Sequence, residues 1–367
     1  MRVLITTDVV GGVWQFTHEL ATGLLREGLS VALVSFGGIP AAGQRRQCAC
    51  LLSDFPNSFL YESSTAPLEW MQPNESAYSD GAQLLLRIAR EFGADLLHSN
   101  QFCFGALPID VPRVITAHSD VLSWAEACRE QPLENSPWLS QYVRLVGDGL
   151  NGADLVVAPT RWMLDALMRN FSVSARCEVI ANGRTIPLQE GAGRQLRAVT
   201  AGRLWDEAKD ICMLAQVSSP VPLYVAGPMK HESSRAPVEM GAATLLGPLP
   251  EDELLQCFRE SAIYICTSRY EPFGLAPLEA ALCGCAVLAR DIPSLREVWR
   301  DGARYFCDPQ SLSALLDEFA ADPDSLCAAQ RRSYRRARSF SAEKMVKSYQ
   351  AQYARVLTEM ETGTYAA

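Results

Sequence analysis

The apolar positions of the chain fall into two successive blocks of short β-rich runs alternating with stretches of helical spacing. RVLITT (residues 2–7) is followed by a glycine pair and then by Val13, Phe16, Leu20 and Leu24, which recur at helical spacing. Gly28 ends that helix, and LSVALVSF supplies a second strand without alternation, as expected of a parallel strand buried on both faces. The pattern continues with a helix from about Gln83 to Glu91, stopped at Gly93, and with strands in DLLHS (residues 95–99) and PRVITAHS (residues 112–119). Residues 40–80, rich in Pro, Ser and Asn, read as a loop-rich insertion facing a cleft. ADLVVAPT ends in Thr160, an N-cap for the helix RWMLDALMRNF, and CEVIANG (residues 177–183) closes the block.

TIPLQEGAGRQ (residues 185–195) has the Pro and Gly content of a linker. A second alternation follows, with strands in LRAVTAG, PLYVAG, ATLLG, AIYICTS and CAVLAR and helices around Leu214, Leu254 and Leu278. Beyond Ser311 the pattern is almost wholly helical, and its last stretch begins with Ser341 as a cap. Strands alternating with helices imply parallel sheets covered on both faces. The expected architecture is therefore α/β, with two Rossmann-like domains facing a cleft and a mostly helical C-terminal segment. The boundaries predicted are 1–184, 185–340 and a final helix, 341–367, packing back on the first domain.

A length of 367 residues suits two domains better than one, and 48% hydrophobic with 20% charged residues describes a globular chain. No run approaches the ~18 apolar residues of a membrane span, and the N-terminus lacks a secretory pattern, so the expected location is cytoplasmic. The 33 basic against 42 acidic residues give a net charge of -9, which argues against a nucleic-acid partner. Twelve cysteines are scattered, with only Cys48/Cys50 and Cys283/Cys285 close together, at C-x-C spacing; they read as small core hydrophobes rather than metal or redox sites. No metal site is expected: the D-x-D triplet from Asp322 to Asp324 is split by Pro323, and His18/Glu19 lacks a second histidine. RRSYRRAR (residues 331–338) is the candidate for peripheral contact with anionic lipid, against the commoner reading of a solvated helix face.

Candidate chemistry concentrates in RYEPFGLAPLEAALCGCAVLARDIPSLREVW (residues 269–299), directly after the strand AIYICTS. Glu271 falls in a strand-to-helix loop and Glu279 inside the helix, where doubly wound sheets bind ligands. The amides of Phe273, Gly274 and Leu275 would project from the helix N-terminus, a site for phosphate or sugar hydroxyls. From spacing alone, a capping acid and a solvated helix acid fit equally well. Arg203 and Lys209 follow the first strand of the second block; alone they read as an exposed loop pair, while a place after a strand suits a ligand site. Gly11 and Gly12 permit close backbone approach to a ligand or simply form a turn, and they do not make the G-x-G-x-x-G of a nicotinamide oxidoreductase. His118 stands at a strand end. His98 is a weaker candidate for the acceptor side, and His18 belongs to a helix surface or a helix interface.

The stretch EPFGLAPLE resembles the E-x7-E signature of retaining glycosyltransferases with the GT-B fold, particularly family 4. TDVVGGVW resembles that family's first glycine-rich loop, HSD (residues 118–120) its histidine site, VVAPTRWM the segment before the interdomain crossing and IANG (residues 180–183) its Asn-Gly turn. AGRLWDEAKD resembles G-R-L-x5-K-G, with Asp210 where glycine is usual. The resemblance implies that Glu279 binds ribose hydroxyls and that Glu271 contacts the donor sugar and stabilises positive character at its anomeric carbon. It implies that Arg203 and Lys209 hold the pyrophosphate in place of a metal and that His118 contacts the donor sugar. The implied activity is transfer of a hexose, glucose leading, from a nucleoside diphosphate sugar, UDP-linked by preference, to a glycan or lipid-linked oligosaccharide. The donor is then a co-substrate, and no cofactor is implied. The alternatives are a non-catalytic nucleotide-sugar-binding protein and an epimerase or phosphorylase on the same fold.

Overall fold

The computed structural model of the chain describes residues 1–187, 193–229 and 240–362; residues 188–192 of the expected linker and 363–367 of the expected final helix lie outside the described residues. The chain divides into two compact units, one of Met1–Ala125, Gln131–Gly183 and the segment from Ala342 onward, the other of Glu126–Glu130 and Arg184–Ser341.

Among its described residues the first unit holds seven strands: β1 (Arg2–Asp8), β2 (Ser30–Phe36), β3 (Phe59–Ser63), β4 (Leu96–Ser99), β5 (Arg113–Thr116), β6 (Leu155–Ala158) and β7 (Arg176–Val179). They form one sheet in the order β3-β2-β1-β4-β5-β6-β7, and every pairing is parallel. Val3 lies opposite Val31 on one side of β1 and Leu96 on the other, so β1 is central. After its first residue β1 is buried at every position, because helices cover both faces of a parallel sheet. Those helices are α1 (Gly12–Arg26), α2 (Ala42–Asp54), α3 (Ala77–Phe92), α4 (Val121–Cys128), whose last residues join the second unit, α5 (Pro137–Gly152) and α6 (Arg161–Asn170). Thr160 caps α6 by accepting from the Met163 amide at 3.1 Å.

In the second unit, β8 (Gln195–Ala201), β9 (Leu223–Ala226), β10 (Thr244–Gly247), β11 (Ser261–Cys266), β12 (Ala286–Arg290) and β13 (Ala303–Phe306) form a sheet ordered β10-β9-β8-β11-β12-β13, again all parallel. Its helices are α7 (Glu251–Glu260), α8 (Leu275–Leu282), α9 (Pro293–Trp299), α10 (Pro309–Ala321) and α11 (Pro323–Ala337). Ile263, Ile265, Leu288, Phe306 and Leu316 anchor its core. The last helix, α12 (Ala342–Thr362), belongs to the first unit and packs on α1.

Several elements differ from the sequence reading. Residues 40–80 are not a loop-rich insertion: α2 and the edge strand β3 lie within them. The helix expected from about Gln83 begins six residues earlier, at Ala77. The helices α4 and α5 and the strand β13 were not anticipated, and the helix around Leu214 is a 3-10 turn, Ile211–Gln216. No helix among the described residues is long and apolar enough to cross a membrane.

Candidate active site

Both sheets have a point at which the chain reverses its direction of winding, and the candidate residues gather there. In the second unit the chain runs outward from β8 to β10 and then returns to place β11 on the other side of β8. Ligand sites of doubly wound sheets form at such points, beyond the carboxyl ends of the strands. Arg203 and Lys209 follow β8, and Glu271 follows β11. Because β8 and β11 are hydrogen-bonded neighbours, two loops remote in sequence meet: Lys209 Nζ lies 2.5 Å from Glu271 Oε2. Ser268 Oγ donates to the same carboxylate oxygen at 3.3 Å. Burial works against a charge on Lys209, but Glu271 outweighs it and holds the ammonium pKa above its ordinary value. Lys209 is thus a permanent cation at neutral pH.

Arg203 is paired as well. Its Nη2 and Nε donate to Asp206 Oδ2 at 2.6 and 3.2 Å, and its guanidinium sits over the Trp205 ring, 5.5 Å from the centroid. Asp206 Oδ1 accepts from the Ala208 amide at 3.0 Å, which fixes the turn leading to Lys209. Although burial raises the Asp206 pKa, the Arg203 charge overcomes it and leaves the carboxyl below its usual range.

Glu279 lies inside α8 and is buried. It is not a solvated helix acid: its Oε1 is 2.9 Å from Arg184 Nε, while Arg184 Nη2 reaches Glu251 Oε1 at 2.5 Å. Arg184, itself buried, was missed because it follows an Asn-Gly turn that carries no periodic signal. Gly274 precedes α8 with φ 91°, a region glycine enters freely. A Cβ there would lie 2.8 Å from Pro277 Cγ and 3.3 Å from Glu271 Cγ, so the turn beneath Glu271 requires glycine. No side chain caps the start of α8, which leaves its first amides to a ligand or solvent. The Phe273 side chain is committed to the core, edge-on to Phe340 at 5.3 Å between centroids.

In the first unit the winding reverses between β1 and β4. Gly11 is the N-cap of α1 at φ 75° and ψ -153°, a conformation nearly confined to glycine, and Gly12 opens the helix; both are exposed. Asn100, just past β4, donates through Nδ2 to the Thr6 carbonyl at 2.5 Å and to Thr17 Oγ1 at 3.1 Å. Its Oδ1 is thereby left to accept from His118 Nε2 at 2.7 Å, which places the imidazole proton on Nε2 and the lone pair on Nδ1. Burial pushes the His118 pKa down to about 3. His118 is half-buried against the Phe16 ring, 4.5 Å between centroids.

His98 does not line a ligand surface. It is fully buried, with Nδ1 2.6 Å from the Tyr353 hydroxyl and Nε2 2.7 Å from Thr116 Oγ1, because β4 is covered on both faces. His18 is half-buried on α1. Among the described residues, no group of three or more His, Cys, Asp or Glu side chains is arranged to hold a metal ion, and Asp322 of the D-x-D triplet caps α11. Within the basic run, Arg336 turns inward and donates to the Val298 carbonyl at 2.6 Å, so the run is not a uniform cationic face.

Sequence comparison gives this geometry its context. Residues 10–185 match Glycosyltransferase Family 4, and residues 219–338 match Glycosyl transferases group 1. Taken together, the two matches make this chain a glycosyltransferase of the family 4 type. Relatives of this glycosyltransferase include a glycogen synthase of Mycobacterium tuberculosis, 24% identical over 91% of this chain and 88% of that protein. A D-inositol 3-phosphate glycosyltransferase of Gordonia bronchialis is 23% identical over 96% and 85% of the two chains. The fold is shared with sucrose-phosphate synthase from Thermosynechococcus elongatus, with TM-score 0.77 and 16% identity over 98% of this chain and 99% of that one. It is shared too with Anabaena HepE, solved in complex with UDP-glucose, with TM-score 0.68 and 19% identity over 98% and 100%. The glycosyltransferase therefore has the α/β GT-B architecture expected from its sequence.

Proposed function

We propose that this glycosyltransferase moves a hexose, with glucose the leading candidate, from a nucleoside diphosphate sugar to a glycan or lipid-linked oligosaccharide, with retention of anomeric configuration and without a metal ion. The observation that carries the reading is the contact between Lys209 and Glu271 at the reversal point of the second sheet, 2.5 Å across and beside Arg203. An ammonium has three donors, so Lys209 can keep Glu271 and also bind a phosphate oxygen. As the glycosidic bond breaks, negative charge grows on the diphosphate, and cations already in place stabilise it most at that stage. Arg203 supplies a planar fork and Lys209 a point charge, together taking the place of a divalent ion.

Glu271 then serves as the anionic group facing the sugar, where positive character develops at the anomeric carbon, and Glu279 as the acceptor for ribose hydroxyls. The uncapped amides at Phe273, Gly274 and Leu275 suit donor oxygens. His118, neutral and with its lone pair on Nδ1, is suited to accept a hydrogen bond from a sugar hydroxyl rather than to carry a proton. Gly11 and Gly12 provide backbone that a ligand can approach closely. The donor is a co-substrate, and no cofactor enters the scheme. UDP-glucose is the first donor to test.

The test is transfer from UDP-glucose to an oligosaccharide acceptor in excess EDTA, with the product linkage read by NMR. Product that keeps the donor's anomeric configuration supports the proposal. An inverted linkage overturns retention, and complete loss restored by magnesium or manganese overturns metal independence. Isomerised donor formed without acceptor would replace transfer by epimerisation.

A further inference from the structure

We propose that Asp210 is a positioning residue for the Lys209–Glu271 pair: its carboxylate, carried on a left-handed backbone turn, ties the loop ending at Lys209 to Arg269 and Arg290. The inference rests on the donor-site reading of Lys209 and goes beyond it by assigning a role to a residue that departs from the G-R-L-x5-K-G pattern.

Three observations meet at this residue. Asp210 has φ 45° and ψ 43°, one of two non-glycine residues with positive φ among those described. Glycine adopts that conformation without steric cost, whereas Asp adopts it at some cost and is retained where its side chain finds partners. Its carboxylate is buried, and Oδ2 receives both Arg269 Nε at 2.7 Å and Arg290 Nη1. Cys212 Sγ lies 3.2 Å from Oδ1.

Arg269 stands two residues before Glu271, so this ion pair acts on the loop that carries the carboxylate. The same two loops are tied through the backbone: the Arg269 amide donates to the Ala208 carbonyl at 2.8 Å, and Thr267 Oγ1 donates to the Lys209 carbonyl at 2.5 Å. Arg290 Nη1 also donates to the Thr267 carbonyl at 3.3 Å. With glycine at 210, Arg269 and Arg290 would approach one point as like charges without the anion between them. Their repulsion would bear on the segment 267–271, and hence on the 2.5 Å contact between Lys209 and Glu271. Burial raises the Asp210 pKa, but the two arginines outweigh it and hold the carboxyl below its usual range, so the tether is ionised at neutral pH.

The decisive experiment is a double-mutant cycle joining Asp210→Gly and Lys209→Ala, read as kcat and donor KM separately. Glycine keeps the backbone conformation and removes only the carboxylate. A catalytic group misplaced by 1 Å can cost about 10²-fold in rate, so Asp210→Gly is expected to lower kcat by about tenfold or more while donor KM moves by less than about threefold. In the Lys209→Ala background the same change is expected to cost less than about twofold, because residues acting through one another are not additive. Full turnover in Asp210→Gly, alongside a slow Lys209→Ala, overturns the positioning role alone. Equal losses in both backgrounds also overturn it, since they mark a general effect on the fold. Wild-type turnover in Lys209→Ala overturns the donor-site reading and this inference with it. Should the glycine variant fail to fold, Asp210→Asn, which keeps the volume and tolerates positive φ, is put through the same cycle with the same outcomes.

Discussion

In the first unit, the hydrogen bonds of His98, Thr116 and His118 at β4 and β5 join neutral groups; in the second, the side chains that follow β8 and β11 include ions matched in pairs. His98 bonds Thr116 and Tyr353, Thr116 bonds Tyr349 at 3.0 Å, and His118 bonds Asn100, all without a formal charge. The second unit instead sets Lys209 on Glu271, Arg203 on Asp206, and Arg184 on Glu251 and Glu279. A neutral network fixes geometry by direction and avoids the desolvation of charge. An ion pair at a strand end holds a cation whose partner an incoming anion can share or replace. The two polar clusters thus differ in what they are built to accept.

The largest expected effect lies in the charged cluster. Arg203→Ala and Lys209→Ala should each lower turnover at saturating donor by about 10² to 10³, the worth of a fixed group that stabilises developing negative charge. Thermal unfolding should move little for Arg203→Ala, since a partly exposed pair contributes at most about 1 kcal/mol. Lys209→Arg should not restore the rate, because a planar fork cannot occupy the position of a compact ammonium. A variant keeping more than about a tenth of wild-type turnover would remove the distinction between the clusters.

A second prediction separates the glutamates. Glu279→Ala is expected to weaken nucleotide binding by about 1.5–3 kcal/mol, the range for a hydrogen bond to a charged group, measured by calorimetry with UDP. Glu271→Gln should lower kcat with UDP affinity nearly unchanged. Equal effects of the two on UDP affinity would show that their roles are not divided.

The smallest effect is thermodynamic and belongs to the neutral cluster. Burial, with the nearby His118 adding to it, pushes the His98 pKa down to about 3, against an ordinary value of 6.5. Between those values the unfolded chain binds more protons than the folded one, so stability falls as pH drops through that window and is fully present above it. From pH 7 to pH 5 the His98 contribution amounts to about 2 kcal/mol. Denaturant unfolding of wild type and His98→Gln at both pH values checks this: the variant should lose less than wild type by about that amount. Parallel losses would mean that His98 accepts a proton in the folded state.

The α/β alternation was legible because buried parallel strands leave continuous apolar runs, and Glu271, Glu279, Arg203 and Lys209 were candidates because they stand in recognisable spacings. What escaped has physical causes. The segment QRRQCACLLSD in α2 buries only Cys48 and Leu51, so it shows no broad apolar face. Edge strand β3 is half-buried over Leu60, Tyr61 and Glu62, without the unbroken apolar run of a central strand. His98 was legible as part of a strand, but its neutral role depends on Tyr353, which lies 255 residues further on. Arg184 and Asp210 each sit outside the regular helices and strands, where spacing carries no information about partners contributed by α8 or β12.

The return of α12 to the first unit has a consequence for how this chain is made. Tyr349 and Tyr353 complete the hydrogen bonds of Thr116 and His98, yet they leave the ribosome after every residue of the second unit. Domains tend to fold in the order of synthesis, the N-terminal one first. Here the unit begun first is finished last. Until α12 has been made, its two buried sheet positions, Thr116 and His98, wait for hydroxyls that have not yet been synthesised.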